Sequence, residues 1–305
     1  MHQPVLLGPS VENWLTDPHG CYIDCTVGGG GHTKALLEKL SQDAQVLAID
    51  RDKDTLDNTR RQLTDNRVRF IEGDFRDLSV LLDEEGIKQA DGIMIDLGVS
   101  SFQLDQAERG FSFHEDARLD MRMDRSEPIS AWDVVNQYDP ADIADILFRY
   151  GEEKYARSIA AAIVRQRIIK PIDTTLQLVE IIQGAVPAKY RREKHPARKT
   201  FQALRIEVNR ELEAIEEVMP QAVEVLRPSG HLCIISFHSL EDRIVKTFMQ
   251  KESKECVCPP GLPVCICKHQ PRLRIIARKP IIADEEECEA NPRARSAKLR
   301  VAARI

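Results

Sequence analysis

The stretch Asp24-Cys25-Thr26-Val27-Gly28-Gly29-Gly30-Gly31-His32 decides how this 305-residue chain is read. Before it, Cys21-Tyr22-Ile23 is a short apolar run; after it, residues 33–40 carry apolar side chains at helical spacing. The unit is strand, glycine turn, helix. Consecutive glycines let the backbone approach a ligand with no Cβ in the way, and the helix start turns free N–H groups toward it. A dinucleotide turn requires G-x-G-x-x-G. Counted from Gly28 or Gly29, the third glycine is replaced by Thr33 or Lys34. The alternative form, acid-x-small-x-Gly-x-Gly, is met by Asp24, Thr26, Gly28 and Gly30. That form is typical of S-adenosylmethionine sites, where the acid ending the strand faces an ammonium group.

Ala44-Gln-Val-Leu-Ala-Ile-Asp50 is a second apolar strand ending in an acid. In nucleotide-type α/β folds an acid at this place accepts bonds from ribose hydroxyls. Asp50 alone does not separate NAD from S-adenosylmethionine, since both carry that ribose; the failed dinucleotide spacing favours the sulfonium cofactor. Outward from the turn, the pattern predicts a helix at 5–15, strands at 21–26, 45–50, 68–72 and 91–96, and helices at 32–40, 53–63 and 76–84. Strict alternation implies a doubly wound, Rossmann-like α/β sheet that binds ligands beyond its strand ends. Those ends supply Asp24, Asp50, Gly73-Asp74-Phe75 and Asp96-Leu-Gly-Val-Ser-Ser101.

Alternation stops after Ser101. Helical patterns at 131–137, 140–150, 152–168, 174–184 and 196–210 predict an inserted helical domain over 104–207. Residues 1–103 and 208–305 then form one discontinuous sheet domain. The breaker Arg227-Pro-Ser-Gly230 precedes a buried strand at 231–237, Ser239-Leu-Glu-Asp242 opens a helix to Gln250, and strands at 272–278 and 298–303 finish the sheet.

Composition bounds the class of protein. With 42% hydrophobic and 30% charged residues the chain is globular. No apolar run is long enough for a membrane span, and the N-terminus lacks a secretory layout. Eight cysteines without a signal segment point to a reducing, cytoplasmic setting. The formal charge of −6 excludes a uniformly basic protein, but charge is local. Lys189, Arg191, Arg192, Lys194, Arg198, Lys199, Arg205 and Arg210 face only Glu193 and Glu207, and no acid follows Glu289 in a tail holding Arg293, Arg295, Lys298, Arg300 and Arg304. These read as nucleic-acid contacts or as solvated helix faces.

Eight stretches in order resemble one family: His2-x-Pro-Val-Leu-Leu7, the glycine turn ending in His32, Asp96-Leu-Gly-Val-Ser-Ser101, Arg109-Gly-Phe-Ser-Phe113, Tyr150-Gly-Glu-Glu153, His195-Pro-Ala-Arg198, Ser236-Phe-His-Ser-Leu-Glu-Asp-Arg243 and Asn291-Pro-Arg-Ala-Arg-Ser296. Together they resemble the MraW (RsmH) family of bacterial methyltransferases. The resemblance implies methylation of the exocyclic N4 of a cytosine in the decoding region of 16S ribosomal RNA, with S-adenosylmethionine as donor and 16S rRNA within the small subunit as partner. It further implies that Gly30, Gly31 and His32 hold the methionine end, Asp50 the ribose and Phe75 the adenine, with Asp96 and Gln103 completing the pocket. Two departures stand out. Gly8-Pro9 replaces an acidic pair after Leu7, and Phe102 replaces a proline after Ser101.

The chemistry asks for an acceptor of the N4 hydrogens, because that nitrogen's lone pair is conjugated into the ring. Asp96 is the candidate acceptor, its alternative role being a cofactor contact only. His238, past the fifth strand, reads as a substrate or proton-shuttle group or as a hydrogen-bonded scaffold histidine. Asp96-Leu-Gly-Val99 lacks a ring to stack on the base, so Phe102, Phe111 or Phe113 must supply one. Arg109, Arg198 and Arg295 are the candidate phosphate contacts, with Phe113 beside them. Finally, Cys256-x-Cys258 and Cys265-x-Cys267, on two arms joined by prolines, offer four thiolates for a structural Zn²⁺ or form a reduced cysteine-bearing loop.

Overall fold

The computed structural model describes residues 4–193, 195–259 and 264–305. His2, Lys194 and Pro260, which the sequence reading drew on, lie outside them. The chain divides into two compact units, residues 1–98 with 212–305, and residues 99–211. The sequence pattern places these divisions at 103/104 and 207/208.

The first unit opens with α1 (Leu7–Trp14), β1 (Cys21–Asp24), α2 (Gly31–Leu37), β2 (Gln45–Asp50), α3 (Lys53–Gln62), β3 (Val68–Glu72), α4 (Leu78–Glu84) and β4 (Ala90–Asp96). The second unit contributes α5 (Ser101–Asp105), α6 (Ala131–Gln137), α7 (Pro140–Arg149), α8 (Ala156–Ile169), α9 (Thr175–Ala185), α10 (Ala188–Glu193) and α11 (Ala197–Asn209). The chain then continues through α12 (Glu211–Val225), β5 (Leu226–Ser236), α13 (Ser239–Glu252), β6 (Leu273–Ile275), α14 (Glu285–Ala290) and β7 (Lys298–Arg304).

Seven strands form one sheet in the order β3-β2-β1-β4-β5-β7-β6. Strands β1 to β5 are parallel, and β7 runs antiparallel to both β5 and β6. Period-two alternation sorts the side chains onto two faces. Ile23, Leu47, Ile49, Ile93, Ile95, Leu232 and Ile234 pack with Leu78 and Leu82 of α4, Val218 and Met219 of α12, and Val245 and Met249 of α13. On the other face Tyr22, Val46, Met94, Cys233, Ile235 and Val301 pack with Val11 and Trp14 of α1 and Leu36 and Leu37 of α2. Gly92 is required where β4 passes under α1, because a Cβ there would stand 2.6 Å from the Trp14 carbonyl oxygen. The order reverses between β1 and β4, so the carboxyl ends of these neighbours flank the crevice where such sheets bind ligands.

Three local readings change. First, β5 begins at Leu226, ahead of the expected breaker: Leu226 pairs with Ala90 and His231 with Gly92, and residues 227–230 bulge out between them. Second, β6 spans only Leu273–Ile275, paired with Arg304, Ala303 and Ala302 of β7. Third, α5, α10 and α14 are too short for periodicity to reveal. The last of these resolves the Gly8-Pro9 departure. No side chain of α1 caps its own start, and Glu287 of α14 instead accepts the Leu6 N–H at 2.6 Å. A carboxylate at a helix start also suits the helix dipole.

The second unit is helical, built on a core that includes Leu119, Met121, Val134, Ile143, Leu147, Ile159, Ile163, Leu178, Ile182, Phe201 and Leu204. Glu153, fully buried, ties the start of α8 to α10 by accepting the Tyr155 N–H and the Tyr190 hydroxyl, each at 2.8 Å. Gly151 allows the close passage of α11, since a Cβ would lie 2.7 Å from the Lys199 carbonyl oxygen. The Tyr150-Gly-Glu-Glu153 stretch is thus explained by packing.

Candidate active site

At the carboxyl edge of the first unit, Asp24, Asp50 and Asp96 end the adjacent strands β1, β2 and β4. Asp24 is buried. Its Oδ1 accepts the Thr26 N–H at 3.1 Å and its Oδ2 the Thr33 hydroxyl at 2.5 Å. Thr33, the residue that breaks the dinucleotide spacing, therefore has a use of its own: it orients the first acid. Burial pushes the Asp24 carboxyl up to about 6, against the opposing effect of those two donors. Asp50 accepts the Gly28 N–H and the Asp52 N–H, both at 2.9 Å. Burial raises it to about 6 as well, and the two amides hold it from going higher. A carboxylate offers about four lone-pair sites, so Asp50 keeps acceptor capacity for a diol.

The turn between them is held in shape from outside. Gly30 sits at φ +73°, where a side chain is strained, and a Cβ there would meet the Thr59 methyl at 2.8 Å. The Thr59 hydroxyl donates to the Gly28 carbonyl at 2.5 Å. Gly31 lies directly under Pro4, with an ideal Cβ 2.1 Å from the proline ring. His32, buried, contacts the Val5 carbonyl through Nε2 at 3.0 Å, and burial lowers its imidazole to about 4. The ring is neutral at neutral pH with its proton on Nε2, so the Nδ1 lone pair faces Asp96 Oδ2 at 3.8 Å.

Asp96 is the unusual acid of the three. Its N–H donates to the Thr26 hydroxyl at 2.7 Å, which fixes the strand end, yet its Oδ1 is buried with no hydrogen-bond partner among the described residues. Burial first, then the charges of Asp24 and Glu241, raise this carboxyl well above the carboxylate range. A buried acceptor without a donor is costly and rare in native structures. Phe75, half-buried after β3, packs on the α4 side of the sheet.

The remaining candidates separate. His238 caps α13: its N–H donates to Glu241 Oε2 at 3.1 Å, its Nδ1 faces the Glu241 N–H at 3.5 Å, and its Nε2 lies 3.1 Å from Glu241 Oε1. The cap gives His238 a scaffold role, while its buried Nε2 makes no hydrogen bond among the described residues. Gln103 belongs to the second unit, where its side-chain oxygen accepts the Ser100 N–H at 3.0 Å in a capping box.

Arg109 is a correction. It is 2% exposed, and its Nη2 donates to the carbonyls of Arg122 and Met123, both at 2.9 Å. Such burial removes it from phosphate contact. With Asn209, which holds Met121 and Met123 by their main chains, it shapes residues 119–124. Arg198 and Arg295 are exposed. Phe113 stacks on His195 with centroids 4.5 Å apart and planes 21° from parallel, and meets Phe201 edge-on at 5.6 Å. Burial, then His114 and Arg198, lower the His195 pKa, and its Nδ1 is buried without a partner among the described residues. Sequence reading named Phe113 but missed His195 as its stacking partner, since 82 residues separate them.

A reversed β7 inserted beside β5, a glycine turn after β1, and acids ending β1, β2 and β4 define a Rossmann-like fold of the S-adenosylmethionine-dependent methyltransferase class. More narrowly, the chain belongs to the MraW methylase family, whose model matches residues 1–305. It is 48% identical over 307 residues to the ribosomal RNA small subunit methyltransferase H of Brevibacillus brevis, covering 100% of this chain and 98% of that one. The protein of that name in Clostridium botulinum strain Kyoto is 48% identical over 305 residues, covering 100% and 99%. That of Finegoldia magna is 46% identical over 308 residues, covering 100% and 98%. Among the described residues no helix is long and apolar enough to cross a membrane.

Proposed function

We propose that this protein transfers a methyl group from S-adenosylmethionine to the exocyclic N4 of one cytosine in the decoding region of 16S ribosomal RNA, in the cytoplasm. The observation that carries the reading is Asp96: a buried carboxyl oxygen with no donor among the described residues, at the switch point, beside a glycine turn and a neutral histidine. The names of the relatives support ribosomal RNA as substrate, and the family resemblance supports N4 of cytosine.

The residues present fit the cofactor. Gly30 and Gly31 let the turn pack against Thr59 and Pro4 with no Cβ between them, Asp24 and Asp96 offer acid oxygens to an ammonium group, Asp50 suits a ribose diol, and Phe75 after β3 is the candidate for the adenine. When bound, the cofactor supplies an electrophilic methyl on a positively charged sulfur. The protein's own work is to hold the target nitrogen in line and accept its proton. Asp96 takes the N4 hydrogens, and the His32 Nδ1 lone pair beside it is the next acceptor. Exposed Lys189, Arg191, Arg192 and Arg198 of the second unit, and Arg295 of the first, contact phosphates. Within the second unit, the Phe113–His195 pair offers a neutral plane on which an unstacked RNA base can lie.

Methyl transfer from radiolabelled S-adenosylmethionine to unmodified 30S subunits and to naked 16S RNA, followed by nucleoside analysis, tests the reading. Label in N4-methylcytidine at one position supports it. Cofactor binding with no label on either RNA refutes it.

Two further outcomes are expected. Asp24 and Asp50, each raised to about 6, are ionised above that pH and protonated below it. Cofactor affinity is therefore flat from pH 7 to 8 and falls below about pH 6, by up to about tenfold per pH unit for each carboxyl required ionised. Calorimetric titration from pH 5 to 8 measures this; an affinity unchanged at pH 5 removes both acids from the site. The second outcome concerns the arginines. Arg198→Ala reduces the slope of log K against log salt for RNA by about 0.7–0.9, the signature of one lost phosphate contact. Arg109→Met leaves that slope alone and lowers stability by about 1–3 kcal/mol, because buried carbonyls lose their donor. Binding isotherms over a salt series and thermal melts separate the two.

A further inference from the structure

Between the end of α13 at Glu252 and the start of β6 at Leu273, the described residues form neither helix nor strand. The base of this segment is closed: the Arg272 N–H donates to the Glu252 carbonyl at 2.8 Å, and the Arg272 Nε lies 2.7 Å from Glu252 Oε2. Beyond that base, the described apolar side chains are not interior. Val257, Val264 and Ile266 are 36%, 70% and 73% exposed. Segments of this length without secondary structure are uncommon in compact domains unless something else orders them.

What gathers here is sulfur. The Sγ atoms of Cys256 and Cys265 are 3.5 Å apart, those of Cys265 and Cys267 3.5 Å, of Cys256 and Cys267 3.8 Å, and of Cys258 and Cys265 4.0 Å. All four lie within 4.8 Å of one another. A Zn–S bond of about 2.3 Å in a tetrahedron places its sulfurs about 3.8 Å apart, the middle of this range. The distances are far longer than a disulfide bond. They are also too short to enclose an iron–sulfur cluster, whose bridging sulfides push the cysteines apart.

Backbone amides face these sulfurs, as expected around thiolate ligands. The Cys258 N–H approaches Cys256 Sγ at 3.4 Å, and Cys267 receives the N–H groups of Val257 and His269. His269 is not a competing ligand, since its Nε2 lies 3.1 Å from the Lys251 carbonyl oxygen. Four bare thiols have little attraction for each other, and four thiolates repel. A shared divalent cation resolves both difficulties.

We propose that Cys256, Cys258, Cys265 and Cys267 bind one structural Zn²⁺ in a closed tetrathiolate site. Four protein ligands leave no open position, so the ion orders the segment and takes no part in catalysis. Its role is to fix the two cysteine arms, 256–258 and 265–267, to one another and to set the path of the chain into edge strand β6.

The test is metal analysis of the full chain purified without chelator or added metal. One zinc per chain is expected, released by a mercurial that titrates four thiols in step with the metal. Replacement by Co²⁺ should give the strong visible bands of tetrahedral thiolate cobalt. The Cys258→Ser, Cys265→Ser double variant should lose the zinc and gain proteolytic sensitivity confined to 253–271, with cofactor binding retained. A wild-type chain without zinc whose four thiols react freely overturns the proposal, as does iron in place of zinc. A mass lower by four hydrogens, marking two disulfides, overturns it too. None of these readouts depends on methyl transfer, so they stand apart from the test of the proposed function.

Discussion

Replacing Asp96 by asparagine is expected to lower kcat for methyl transfer by about 10²–10⁴-fold, the range typical of losing a positioned acid–base group. Cofactor affinity should stay within several-fold. The substitution is nearly isosteric, and the backbone bond from Asp96 to the Thr26 hydroxyl at 2.7 Å does not involve the side chain. What changes is proton affinity. An amide oxygen can accept a hydrogen bond but cannot take up the proton released from an exocyclic amine. Burial and the nearby Asp24 and Glu241 raise the wild-type carboxyl's pKa well above the usual range, which makes its ionised form a stronger base toward that proton. Single-turnover rates and calorimetric affinities on the same variant decide the role. Slow chemistry with intact binding marks the proton acceptor. Weak binding with an unchanged rate at saturation would make Asp96 a cofactor contact and move the acceptor elsewhere.

Gly31→Val should produce the second large effect, a loss of cofactor affinity of roughly 5- to 150-fold. A Cβ at this position would stand 2.1 Å from Pro4 Cγ, and a proline ring cannot swing aside as a flexible side chain would. The segment at Pro4 and Val5 must lift, and the contact from His32 Nε2 to the Val5 carbonyl goes with it. Leaving a buried donor unsatisfied costs about 1–3 kcal/mol, which is the stated range in affinity if the turn distorts to relieve it. Gly29→Ala is the control, since a Cβ there meets nothing within 4 Å. Calorimetric titration of both variants with S-adenosylmethionine checks the contrast; equal affinities would show that Pro4 does not constrain the turn.

Sequence reading reached the sheet because its signal is local. Each of β1, β2 and β4 is an apolar run ending in an acid, and each intervening helix shows its own period. The same logic recovered α6, α7, α9 and α11 within a few residues. It failed at β5, where the Arg227-Pro-Ser-Gly230 breaker is absorbed as a bulge within a strand that starts earlier. Composition marks a break in regular geometry there but not whether the ladder resumes beyond it.

At the site, identity was legible and role was not. Arg109 and Arg198 are the same residue type in motif-like surroundings, yet one is buried against carbonyls and the other exposed. Thr33 looked like a defect in a glycine pattern and proved to be the partner of Asp24. Glu287, 281 residues from Leu6, caps the first helix.

The sequence by itself determined the strand–turn–helix units, the acids at the strand ends, the sheet class and the family, because periodicity, chain breakers and motif spacing are written along the chain. Only the tertiary structure decided that one oxygen of Asp96 is buried without a donor among the described residues, that His32 is neutral, that Arg109 is interior and that four sulfurs stand at tetrahedral spacing. Those properties belong to groups brought together from distant segments. Desolvation, charge coupling and contact depend on who the neighbours are in space, and no local pattern encodes that.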